Sequence, residues 1–236
     1  MHVLLANPNA TASITEACAA LGRAAASPGT EIVLWTNRNG PPVVDSLGTD
    51  YAAGAALVPG LAGLDPRPDA VVLAGFGNYG TGAVKEALEV LVLNMAEAAM
   101  ACAIPLCHRF AIVTTSPRMI PYVEDVVHAF GFAARCAAVR AVRLPPIEAP
   151  PPRDEQIVEQ LLAEVGAVHA GVGADLVILG GSRLSPYAAT LRSRTPLPII
   201  EPVACGVAMA EALVRAGLRQ SKAGKFAPST TTRRSP

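Results

Sequence analysis

Short runs of Val, Ile and Leu recur along this chain, each closed by turn residues and followed by an Ala-rich stretch with helical spacing. The runs predict strands near 2–6, 31–35, 70–74, 90–93, 110–115, 136–142, 175–180 and 198–201. The stretches after them predict helices near 11–26, 49–63, 81–88, 95–106, 117–130, 153–171, 185–193 and 203–217. Strict strand–helix alternation argues for βαβ units, hence parallel sheets. The strand runs are mostly apolar, as strands covered on both faces require. Thr11 or Ser13 is positioned to cap the first helix, and Glu16, three residues after Ser13, would complete a capping box. Pro117 suits the first turn of the fifth helix.

The pattern also repeats at long range. Residues 69–80 read DAVVLAGFGNYG and residues 175–186 read DLVILGGSRLSP. Asp69 and Asp175 are 106 positions apart, as are Gly75 and Gly181. VLLANPN at 3–9 pairs with AIVTTSP at 111–117 at nearly the same interval. The repeat implies an α/β fold of two pseudo-symmetric lobes, each a mainly parallel sheet flanked by helices, with an active-site cleft between them. The expected division is 1–95 plus 208–218 for the first lobe and 96–207 for the second. The proline-dense stretch 144–156 reads as an irregular connector, and the polar, basic residues 219–236 as a flexible tail.

Composition narrows the function. Lys+Arg and Asp+Glu are both 19, so no net field recruits nucleic acid or an anionic membrane. Aromatic residues, at 4%, do not interleave with basic ones, which argues further against nucleic acid. The five cysteines, Cys18, Cys102, Cys107, Cys136 and Cys205, form no CxxC pair, so neither a disulfide framework nor a zinc site is expected. The apolar start at MHVLLANPNA is too short for a signal peptide, and no run is long enough to span a membrane. These features suit a cytoplasmic protein acting on a small molecule, without metal or cofactor.

Ligands of parallel sheets bind beyond the carboxyl ends of the strands. Four loops fall there: Asn7-Pro8-Asn9; Gly75-Phe76-Gly77-Asn78-Tyr79-Gly80; Thr114-Thr115-Ser116; and Gly180-Gly181-Ser182-Arg183. They offer amides, hydroxyls and backbone N–H groups, a donor set suited to a carboxylate or a developing enolate oxygen. Asn7, Asn9, Gly75, Phe76, Gly77, Asn78, Thr114, Thr115, Gly181 and Arg183 are the candidate substrate contacts. Tyr79, Ser182 and Glu201 are the candidate acid, base or oxyanion groups. For Glu201, which precedes a proline and a helix, capping that helix is the competing role. Cys18, Cys102 and Cys205 fall in predicted helices as small buried apolar groups. Cys107 and His108 enter their strand from the amino end, away from the ligand edge, and His2 and His128 read as structural.

NPN after the first strand, the glycine-rich loop at 70–80, EAAM at 97–100, RFAIVTT at 109–115, VILGG at 177–181 and AMAEALVRAGLRQSK at 208–222 together resemble the aspartate/glutamate/hydantoin racemase superfamily. The hydantoin and allantoin racemase branch is the most similar. The resemblance implies two pseudo-symmetric lobes, a homo-oligomer, and a mechanism in which two cysteines on opposite faces of the substrate exchange its α-proton. It places those cysteines at Gly75 and Gly181, where this chain has neither. Arylmalonate decarboxylase-type members resemble this arrangement halfway, with glycine at the first position and cysteine at the second. Three outcomes stay open. The chain is a cysteine-independent enzyme of lyase, decarboxylase, isomerase or cyclase type; or it is a racemase or epimerase using other acid–base groups; or it is a binding protein with a vestigial site.

Overall fold

The computed structural model describes residues 1–145 and 154–228. The chain divides into two units. The first comprises Met1–Ala74, Asn78–Asn94 and the described residues from Gly206 onward; the second comprises Gly75–Gly77 and Met95–Cys205.

Each unit holds a four-stranded, all-parallel sheet. In the first, β1 (His2–Asn7), β2 (Glu31–Thr36), β3 (Ala70–Leu73) and β4 (Leu91–Asn94) lie in the order β2-β1-β3-β4. In the second, β5 (Phe110–Thr114), β6 (Cys136–Ala141), β7 (Leu176–Gly180) and β8 (Ile199–Ile200) lie in the order β6-β5-β7-β8. The order is the same once the repeat is counted, so the duplication seen in the sequence is a duplication of topology.

The central strands β3, β5 and β7 are buried at every position, as their unbroken apolar runs require. Helix α2 (Leu47–Ala62) places Ala53, Leu57 and Leu61 against Leu4, Val71, Leu73 and Val92 of the first sheet. Helix α6 (Asp154–Val172) does the same in the second, setting Ile157, Leu161, Val165 and Val168 on Ala111, Val113, Val177 and Leu179. The remaining helices are α1 (Ala12–Ala25), α3 (Thr81–Ala87), α4 (Met95–Ala103), α5 (Met119–Ala129), α7 (Ala188–Arg194) and α8 (Pro202–Arg215), with a 3-10 turn at Ser185–Tyr187 before α7.

The repeated aspartates have a structural purpose. Asp69, just before β3, accepts the His2 backbone N–H at 2.7 Å. Asp175, just before β7, accepts the His108 and Arg109 N–H groups, each at 2.9 Å. Each acid therefore satisfies backbone donors where the first strand of its sheet begins, and both pairs span 67 residues of chain.

Several sequence expectations change. The capping box at Ser13 and Glu16 does not form. Thr11 is the residue before α1, makes no side-chain cap, and donates its hydroxyl to the Pro42 carbonyl instead. A capping box exists at α2, between Ser46 and Thr49. Pro117 precedes α5, its carbonyl accepting from Ile120 in the turn that leads in. The irregular connector expected at 144–156 is helical from Asp154, where Asp154 and Glu155 suit the positive end of the helix; residues 146–153 lie outside the described residues. Within the tail expected at 219–236, Gln220, Lys222 and Phe226 make contacts with the rest of the first unit while most other described residues are exposed. The Gln220 side chain accepts from Val92 N–H and donates to Val92 C=O, extending the hydrogen bonding of edge strand β4. Lys222 donates to the Lys85 and Glu86 carbonyls at the end of α3, and Phe226 lies 5.6 Å from the Lys85 ammonium. Residues 229–236 lie outside the described residues.

Hydrogen bonds from His108 and Arg109 N–H hold the Asp175 carboxyl below the usual carboxylate range. A depressed folded pKa contributes stability that is complete above the unfolded value of about 3.9 and drains away as pH falls through the folded one. Asp175→Asn is expected to lower the urea midpoint at neutral pH and to flatten the loss of stability below about pH 4, as followed by circular dichroism.

Candidate active site

The carboxyl ends of both sheets carry buried polar side chains, and their hydrogen bonds separate those that hold loops from those left available. In the first unit, Asn7 ends β1. Its Nδ2 donates to Asn9 Oδ1 (3.1 Å), to the Thr11 carbonyl (3.1 Å) and to Thr15 Oγ1 (3.0 Å), and its Oδ1 accepts from Asn9 N–H. Asn7 is therefore committed to shaping the loop into α1. Asn9 uses its Oδ1 on Asn7 and on Thr11 N–H. Its amide NH2 has no partner among the described residues.

The loop after β3 is shaped by its neighbours. Phe76 and Tyr79 are buried, and Asn78 is half-buried. Tyr79 adopts a left-handed backbone, φ +50°, unusual for a bulky residue. Its N–H donates to the buried Asp50 carboxylate at 2.9 Å, and its ring packs among Ala53, Leu57 and Val84. Gly54 on α2 allows this approach, because a β-carbon there would sit 2.9 Å from the Tyr79 backbone. The Tyr79 ring thus belongs to the first unit's core. The sequence reading missed Asp50 and Gly54; an acid and a glycine inside an otherwise apolar helix were the available signal.

The second unit assembles hydroxyls. Thr114 Oγ1 donates to the Gly180 carbonyl at 3.0 Å, tying β5 to β7, so Thr114 is committed. Thr115, Ser116 and Ser182 are half-buried, and their hydroxyls have no partner among the described residues. Gly181 has φ +150°, a conformation L residues rarely adopt, and a β-carbon there would meet Thr115 Cγ2 at 3.4 Å. Thr115 and Gly181, 66 positions apart in sequence, therefore face each other directly. Arg183 donates to the Pro145 carbonyl at 2.7 Å, so the guanidinium read as a substrate contact braces backbone.

Glu201 is the helix cap. It is buried, its Oε1 accepts from Ser185 Oγ (2.6 Å) and Val203 N–H (2.9 Å), and its Oε2 accepts from Ala204 N–H (2.8 Å). In this arrangement both oxygens are engaged, which leaves the capping role expected as its alternative. The first unit has a counterpart that the sequence reading overlooked. Asn94 ends β4, is fully buried, and donates to Thr81 Oγ1 at 3.0 Å. Asn94 and Glu201 are 107 positions apart, close to the repeat interval, which was the signal that could have found the pair.

The cysteines do not rebuild a proton-transfer pair at these strand ends. Cys18 is buried in α1. Cys107 donates to the Ala103 carbonyl at the amino end of β5, and burial and Asp175 push its thiol up. Burial pushes Cys136 up to about 11. Cys102 and Cys205 are half-buried, in α4 and α8. Among the described residues no group of three or more His, Cys, Asp or Glu is placed to hold a metal ion, and no helix is long and apolar enough to cross a membrane.

Residues 3–210 match the model of the Asp/Glu/hydantoin racemase family. The chain belongs to that family. A hydantoin racemase of Rhizobium meliloti is 33% identical over 234 residues, covering 96% of this chain and 94% of that protein. The crystal structure of allantoin racemase from Pseudomonas fluorescens superposes with a TM-score of 0.91 at 34% identity, covering all of both chains. Arylmalonate decarboxylase shares the fold, with a TM-score of 0.61 at 18% identity over 95% of this chain and 97% of that one. This racemase-family fold therefore carries, at its β7 loop, a glycine in a glycine-favouring conformation beside hydroxyls that have no partner among the described residues.

Glu201→Ala would strand Ser185 Oγ and two N–H groups in a buried turn, at a cost of about 1–3 kcal/mol. Urea unfolding is expected to show that loss, with Glu201→Gln recovering part of it. Full stability in Glu201→Ala would remove the capping role.

Proposed function

We propose that this racemase-family chain is an enzyme that stabilises an enolate-like anion of a small carbonyl or carboxylate substrate without a cysteine acid–base pair. The carrying observation is the β7 loop: Gly181 at φ +150°, against the Thr115 methyl, with the Thr115 and Ser182 hydroxyls uncommitted beside it. The family resemblance puts one racemase thiol at Gly181 and the other at Gly75. A cysteine at 181 would need a β-carbon on a backbone that disfavours one, so the loop is organised around its absence.

Without thiols to remove and return an α-proton, reactions that reach the anion another way are favoured. In a decarboxylation or C–C cleavage the electron pair of the breaking bond moves onto the adjacent carbonyl oxygen. Hydroxyl donors pre-aimed at that oxygen lower the barrier, because they strengthen as charge develops. Thr115 and Ser182 are assigned as those donors, and the Asn9 amide and Asn78 are the first unit's available polar groups. Asn7, Thr114, Tyr79, Arg183 and Glu201 position the loops. The relatives' names, hydantoin racemase and allantoin racemase, support a ring with adjacent carbonyl and nitrogen groups as one substrate class.

Those same names favour a second reading, a racemase or epimerase in which Ser182, Tyr79 or Glu201 carries protons. The two separate in deuterated water. With 5-substituted hydantoins and 2-substituted malonates as the panel, the cysteine-independent lyase or isomerase releases product, while an epimerase puts deuterium at the stereocentre of recovered substrate. Thr115→Ala or Ser182→Ala is expected to lower kcat by about 10²–10³. Cys102→Ser, Cys107→Ser, Cys136→Ser and Cys205→Ser should leave it unchanged. Loss of turnover in any of the four would overturn the proposal, and ligand-induced thermal stabilisation without conversion would make the chain a binding protein.

A further inference from the structure

A second concave surface lies wholly within the first unit, away from the β7 loop in sequence and in sheet. There a cavity of about 470 Å³ opens at the carboxyl end of edge strand β2, the end of a parallel strand where ligands bind. Its walls are apolar: Leu34 and Trp35 come from β2, Ala56 and Gly60 from α2. Gly60 sets how closely helix and indole approach, because a β-carbon there would lie 2.6 Å from Trp35 Cζ2. The Trp35 side chain packs on the first unit's core yet stays half-buried, and its indole N–H has no partner among the described residues.

The polar rim divides into committed and available groups. Asn37 is buried and spends its Nδ2 on the Pro8 and Ala53 carbonyls, at 3.0 and 3.2 Å. Thr36 Oγ1 shares a hydrogen bond with Thr15 Oγ1 at 2.7 Å. The turn that follows is pinned by Gly40 N–H on the Asn37 carbonyl and by Ala10 N–H on the Pro41 carbonyl, each at 2.9 Å. Arg38 and Asn39 ride on that pinned turn; both are exposed, and neither side chain has a partner among the described residues. No acid and no lysine lines the cavity. What is available is therefore one guanidinium, with neutral N–H donors beside it, over an apolar wall that includes an aromatic ring.

We propose that this cavity is a binding site for an arylalkyl monocarboxylate, with Arg38 holding the carboxylate and the ligand's ring lodged against Trp35, Leu34 and Ala56. Donors without acceptors select an anion, and a guanidinium presents paired N–H groups that match a carboxylate. A single cation neutralises a single charge. A phosphate dianion would keep a second charge against apolar walls, which is costly. The apolar wall in turn requires a body to cover it, and a ring meets the indole better than a short aliphatic acid does. The site uses none of the groups assigned to the anion chemistry, and its readout does not use turnover.

Trp35 is the chain's only tryptophan, so selectively excited tryptophan emission reports this cavity directly. Titrating the full chain with 3-phenylpropionate is expected to change that emission saturably, with a Kd at or below about 1 mM. Neutral 3-phenylpropionamide, which lacks the charge, and acetate, which lacks the ring, should each bind at least about tenfold more weakly. Arg38→Ala should weaken 3-phenylpropionate by about tenfold or more; Arg38 is exposed, so the variant keeps the fold. Thr115→Ala and Ser182→Ala should leave the titration unchanged, which separates this site from the one at the β7 loop. No saturable change, an equal response to the amide or to acetate, an unaltered Kd in Arg38→Ala, or loss of the response in Thr115→Ala or Ser182→Ala would each overturn the proposal.

Discussion

A parallel strand covered on both faces has no place for a polar side chain except where it begins or ends. That constraint arranges nearly everything chemical in this protein. Asp69 and Asp175 sit just ahead of their strands and hold the backbone where β1 and β5 start. Asn7, Asn94, Thr114 and Glu201 stand at the opposite ends and hold the loops that leave the sheets. Between them the central strands β3, β5 and β7 are almost wholly apolar, and α2 and α6 cover the sheets with rows of leucine, isoleucine, valine and alanine.

Strand and helix positions were legible because the apolar runs and the helical spacing are long and regular, and the 106-residue repeat made the sheets' kinship visible. What the sequence hid was commitment. Asn7 and Asn9 read as equivalent donors two residues apart, yet one is consumed by its own loop and the amide NH2 of the other has no partner among the described residues. Thr114 and Thr115 divide the same way, because alternate residues at a strand end point to opposite sides. Gln220 and Lys222 looked like a frayed tail because short-range composition carries no record of an edge strand and a helix end waiting for partners.

The two units solve one local problem with opposite polarity. In the first, the Asn94 amide donates to the Thr81 hydroxyl, which in turn donates to the Asn78 carbonyl. In the second, the Ser185 hydroxyl donates to the Glu201 carboxylate, whose other bonds come from α8 N–H groups. The latch joins the fourth strand to the start of the preceding helix in both, and in the second the acceptor also caps α8. An acid at a strand end near a candidate site is thus accounted for by helix termini before any reaction is invoked.

This bears on how such a fold changes chemistry. The latches, the aspartate staples and the close approach of Gly54 to Tyr79 fix where the loops run without contributing a reactive group. A reactive group at the tip of such a loop can then be deleted at little cost to the fold, and the backbone is free to relax into a shape that suits its absence. Gly181 at φ +150° has a backbone that L side chains rarely adopt, and a β-carbon there would meet the Thr115 methyl at 3.4 Å. Any side chain placed at position 181 would therefore strain the β7 loop. The Thr115 and Ser182 hydroxyls lie beside it, on the loops that follow β5 and β7.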